Sequence, residues 1–196
     1  MTLELLTLGW NVVEGAIAVA AAVAAGSIAL MGFGVDSFVE SASAAVMIWR
    51  LRSETRGLDD QTIDALDKKA HKLVAISFFA LGAYVALDSA KALWTGERPS
   101  PSPVGLVLLA VSLALMVWLA RAKRHTAVSL GSRAMAADAF QTTACWWLSL
   151  IAMLGLGLNA ALGWWWADPV AALGMVYFLV AEGAEAWGGD DCCDSD

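Results

Sequence analysis

Asp36 and Glu40 stand four residues apart in a stretch that is otherwise apolar from Ile28 to about Leu51. On a helix that spacing places both carboxylates on one face. Two like charges so close repel each other unless a cation lies between them, so the chemistry they suit is cation binding. Ser37, Ser41 and Ser43 add polar character nearby. In the alternative, one acid pairs with a basic side chain inside the protein, but spans one, two, four and six offer no Lys or Arg in their interiors. Further along, Asp138, Gln141, Thr142 and Cys145 form a second group, and Asp138, Gln141 and Cys145 share one helical stripe. Carboxylate, amide oxygen and thiolate all ligate metals, and a thiolate favours borderline ions such as zinc. A free Cys by itself is more often a small buried hydrophobe. The Asp on the same face makes Cys145 a candidate ligand.

Other acids carry weaker signals. Glu14 reads as a proton-titrating group or a partner of the metal ligands. Asp88 precedes Lys91 by three residues, the spacing of a structural ion pair. Asp168 precedes Pro169 and is expected to cap the start of its own helix. Glu182 and Glu185 share a face near the end of the last apolar run and could form an entry site or be merely solvated. The terminal Asp190-Asp191-Cys192-Cys193-Asp194 joins two thiols to three acids; it could capture a metal ion or be a solvated acidic tail. His71 and His125 read as interfacial residues.

These residues need elements to hold them, and the composition says which kind. Of 196 residues, 59% are hydrophobic and 16% charged, with mean hydropathy +0.65. A soluble domain is about half apolar and about one quarter charged. Six segments approach the roughly 20 apolar residues that cross a hydrocarbon core. They run from about Leu6 to Ala25, Ile28 to Leu51, Leu73 to Trp94, Val104 to Ala120, Thr126 to Leu158 and Trp165 to Trp187. The expected fold is all-α: a polytopic membrane protein built as a six-transmembrane-helix bundle over residues 1–187, with a short acidic tail at 188–196. A β-barrel is not expected, since alternation is absent and the runs are rich in Ala and Leu. The first segment has no Lys or Arg before it and reads as a retained span, not a signal peptide.

Ten of the twelve basic residues fall in two loops on one side: Arg50, Arg52, Arg56, Lys68, Lys69, Lys72, Arg121, Lys123, Arg124 and Arg133. Only Lys91 and Arg98 lie opposite. The positive-inside rule puts the ten, and both termini, in the cytoplasm. Trp10, Trp49, Trp94, Trp118, Trp164, Trp165, Trp166 and Trp187 fall near expected span ends, where an amphipathic indole prefers to sit. The net charge of −7 argues against a nucleic-acid partner. There is no phosphate-binding loop, nucleophile elbow or zinc-protease histidine pair, so an enzyme is not expected.

The stretch Gly26-Ser27-Ile28-Ala29-Leu30 and the following Gly34-Val35-Asp36-Ser37-Phe38-Val39-Glu40 resemble the first loop and span-two motif of the cation diffusion facilitators. Ala137-Asp138 through Cys145 is similar to that family's span-five motif, and Trp166-Ala167-Asp168-Pro169-Val170-Ala171-Ala172-Leu173 to its entry into span six. The resemblance covers nearly the whole chain. It implies export of a divalent metal, typically zinc or a neighbour (cadmium, cobalt, nickel, iron or manganese), driven by proton exchange. The family's span-two ligand pair falls on Asp36 and Glu40. Its span-five pair, usually His or Asp and then Asp, falls on Gln141 and Cys145, a less anionic and more sulfur-bearing combination. Asp138 restores a carboxylate one turn earlier. The soluble C-terminal domain through which many members dimerise is not in this sequence, so a homodimer would form through the spans. A transport-inactive metal-binding or scaffold protein is the alternative.

Overall fold

The computed structural model describes residues 2–55, 60–130 and 133–188. Six helices follow one another: α1 (Thr2–Ala25), α2 (Ile28–Thr55), α3 (Asp60–Thr95), α4 (Pro103–Leu130), α5 (Arg133–Leu162) and α6 (Ala167–Gly188). Among the described residues, five of them are long and apolar enough to cross a membrane. The remaining helix, α2, turns polar side chains inward: Asp36, Ser37, Glu40 and Ser41 are all buried. The outer surface is apolar instead. Leu87, Tyr177 and Trp94 are 73%, 74% and 92% exposed, as expected where the solvent is lipid.

The chain runs up and down, and one end of the bundle has well-marked turns. α1, α3 and α5 each end on a glycine in the left-handed region: Gly26 at φ 68°, Gly96 at φ 71° and Gly163 at φ 68°. Only glycine adopts that conformation without strain. The amides of Gly26 and Ser27 close back on the Ala22 carbonyl at 2.7 and 3.2 Å, which satisfies a carbonyl the helix leaves open.

α2 holds the centre, packing against α1, α3, α5 and α6. Its approach to α1 depends on glycine. A Cβ on Gly34 would lie 2.9 Å from Ala18 Cβ, Val19 Cγ2 and the Val19 backbone nitrogen. Gly34→Val is therefore expected to push α2 off α1 and cost about 1–3 kcal/mol. Thermal unfolding in detergent checks this, with Gly9→Ala as the neutral control, because nothing lies within 4 Å of a Cβ there.

Three expectations are corrected. The fifth span does not begin at Thr126. Thr126–Leu130 continues α4, and α5 starts at Arg133; the sequence signal is Gly131-Ser132, a pair of poor helix formers. The longer α4 carries Lys123, read from sequence as a loop residue, into a position only 1% exposed. Lys91 pairs with Glu97 at 3.0 Å and not with Asp88; Asp88 instead accepts from the Tyr84 hydroxyl at 3.5 Å. Lys91 beside it holds the Glu97 carboxyl below the ordinary carboxylate range.

Candidate metal centre

Asp36 and Glu40 lie one turn apart on the inward face of α2, and Cys145 faces them from α5. One ligand atom from each of the three falls within 4.8 Å of the others. Asp36 and Cys145 are each 1% exposed and Glu40 is 9% exposed. Asp36 Oδ2 is buried with no hydrogen-bond partner. Burying a carboxylate oxygen this way costs free energy unless something pairs with it. Tetrahedral zinc holds oxygen and sulfur ligands at about 2.0–2.3 Å, which sets neighbouring ligands roughly 3.5 Å apart. The observed group, with its ligand atoms within 4.8 Å of one another, is of comparable size.

α1 supplies a residue that sequence reasoning missed. Asn11 is fully buried and its Nδ2 donates to Glu40 Oε2 at 2.8 Å. That bond fixes which way the Glu40 carboxylate points, as outer partners of metal ligands commonly do. A signal was present in the sequence: Thr7, Asn11 and Glu14 fall at helical spacing on α1, and all three are buried. Asn11→Leu is expected to weaken zinc binding by about 10–100-fold. Equilibrium dialysis checks it, and Asn11→Gln should recover part of the loss.

Ser37 and Ser41 of α2 bond to their own helix. Ser37 donates to the Phe33 carbonyl at 3.1 Å and Ser41 to the Ser37 carbonyl at 2.8 Å. Both hydroxyls turn back onto their own helix, a common fate for Ser within helices. The Ser43 side chain lies outside the described residues.

Glu14 is buried on α1 and stands outside the three-residue group. Neither of its carboxylate oxygens has a hydrogen-bond partner; Trp10 and Ser112 are its polar neighbours. Trp10 thus turns a buried indole Nε1 into the bundle, instead of marking a span end. Glu182 is half-buried on α6, Glu185 is exposed, and both also stand outside the group. Glu14 and Glu182 are near enough to act electrostatically on Asp36. Asp138 and Gln141 fall on α5 before Cys145, but their side chains lie outside the described residues. Cys192 and Cys193 lie outside them altogether.

A helical bundle with an apolar exterior and membrane-length helices defines a class, polytopic membrane proteins, and here a carboxylate–thiol cluster is buried between two of the helices. The sequence matches the cation efflux transmembrane domain over residues 70–186, more than half of the chain. The chain belongs to the cation efflux family, the cation diffusion facilitators, which are transporters of metal cations and not enzymes. The matched segment takes in Cys145 and runs from within α3 to within α6. No curated protein matches the chain.

Proposed function

We propose that this protein exports a divalent transition metal, zinc first among them, from the cytoplasm in exchange for protons. The observation that carries the proposal is the convergence of Asp36, Glu40 and Cys145 within 4.8 Å, with a carboxylate oxygen left unpartnered at the centre of the bundle. Asp138 and Gln141, two turns and one turn before Cys145 respectively, complete the ligand set when the ion is bound. Metal ligation needs deprotonated carboxylate and thiolate, so protons and metal compete for the same atoms. That competition is a physical route to antiport: the ion arrives where protons are scarce and leaves when they return.

Glu182 and Glu185 lead toward Asp36 from the α6 end and guide the cation inward. The excess of basic residues at that end of the bundle supports a cytoplasmic location for it, with both termini on that side and the protein in the cell membrane. A homodimer would pair through the spans. The test is a metal panel in proteoliposomes (zinc, cadmium, cobalt, nickel, manganese and iron) with a pH dye inside. Zinc and cadmium should move fastest, each with counter-movement of protons. No movement of any of the six would overturn the transporter reading.

A further inference from the structure

Asp168 does not cap its own helix. It opens α6, yet its carboxylate serves the start of α2. Oδ1 accepts from the Ser27 hydroxyl at 2.6 Å. Oδ2 accepts from the Ile28 amide at 2.8 Å and lies 3.5 Å from the Ala29 amide. Ser27 Oγ in turn accepts from the Leu30 amide at 3.1 Å. One buried carboxylate, fully shielded from solvent, thus satisfies the open N–H groups of a helix in another part of the chain. A negative charge at a helix N-terminus is also favoured by the helix dipole.

This junction lies at the basic-poor end of the bundle, where other ties also converge. The Ser100 amide donates to the Ala25 carbonyl at 2.7 Å. Asn159 Nδ2 donates to the Pro99 carbonyl at 2.8 Å. A Cβ on Gly155 would lie 2.6 Å from Ala171 Cβ, so α5 and α6 touch there almost backbone to backbone. That end is shut. Along α2, the latched Ile28 is about 12 Å from Asp36 at 1.5 Å per residue, on one continuous helix.

We infer that Asp168 is a positioning residue of transport: it latches α2 to α6 across the basic-poor end, holds the metal ligands of α2 away from that side, and must release α2 for the ion to leave there. The inference rests on the transporter reading. Its physical basis is a difference between two states. With that end shut, no water reaches the amides of Ile28 and Ala29, so the carboxylate is their partner. With it open, water can replace the carboxylate. Removing Asp168 therefore destabilises the shut state more than the open one and shifts the population toward opening.

Cys145 supplies the readout, because it lies in the metal cluster and reacts only when solvent reaches it. In a C192S/C193S background, right-side-out and inside-out membrane vesicles are treated with a membrane-impermeant maleimide. Without further change, Cys145 should label slowly from the basic-poor side. Asp168→Ala should raise labelling from that side by about fivefold or more and lower it from the other. Asp168→Asn should fall between, since it keeps one acceptor oxygen and loses the charge. If Asp168→Ala fails to accumulate, Ser27→Ala removes the 2.6 Å bond and carries the same test with a smaller rise. Unchanged labelling from the basic-poor side overturns the inference. So does an equal rise from both sides, the mark of general loosening. Zinc protection of Cys145, measured in the same vesicles, tests the metal site separately; its absence would fail the transporter reading without altering the side-dependence.

Discussion

Asp36→Asn should remove zinc binding in detergent, with affinity falling by more than about 100-fold. Changes to residues that merely orient metal ligands cost about 10–100-fold, and this change removes an anionic ligand itself. Asparagine has nearly the same size as aspartate, so the helix should keep its place. The carboxylate it replaces is 1% exposed and has an oxygen with no partner. Equilibrium dialysis against zinc alone gives the affinity, and Asp88→Asn, remote from the cluster in α3, is the control. An Asp36→Asn protein that binds zinc as well as its parent would remove Asp36 from the site.

Cys145→Ser should change which metals bind. Serine has a similar shape but replaces a soft thiolate with a hard, weakly ligating hydroxyl. Thiolates favour zinc and softer ions, whereas manganese prefers oxygen ligands. The preference for cadmium over manganese should therefore fall by on the order of tenfold or more, a change of about 1.4 kcal/mol in relative binding. A second readout follows from ligand deprotonation. Binding releases the protons that the ligands held, so the serine variant should release about one proton fewer per zinc in weakly buffered solution. Equal proton release and an unchanged metal order would show that Cys145 is packed beside the ion without touching it.

Much of the site was legible because its rules are local. Asp36 and Glu40 share a face through a four-residue spacing, and acids in apolar runs are rare enough to stand out. Pairing them with Cys145 took the family resemblance as well, since nothing in local spacing says that α2 faces α5. Asn11 was legible in principle, lying in register with Thr7 and Glu14, but a neutral amide in a span gives a weaker signal than a carboxylate. Asp168 shows a harder limit. An Asp before Pro at a helix start looks the same whether it caps its own helix or a neighbour's. Only the packing of α6 against the Ser27 turn decides between them. Lys91 is similar, because two acids lay within reach by sequence and the turn at Gly96 brought Glu97 to it. The Thr126 boundary was a different kind of miss: Gly131-Ser132 was a readable break, and the apolar run around it obscured it.

The central claim is that the Asp36–Glu40–Cys145 cluster carries a metal ion through the membrane against protons. Zinc entry into proteoliposomes loaded with both a zinc dye and a pH dye tests it most directly, run in parallel on the natural protein and Asp36→Asn. The expected result is zinc accumulation with matching proton efflux in the natural protein and neither in the variant. Zinc bound by the natural protein without any flux, or flux equal in both proteins, would contradict it.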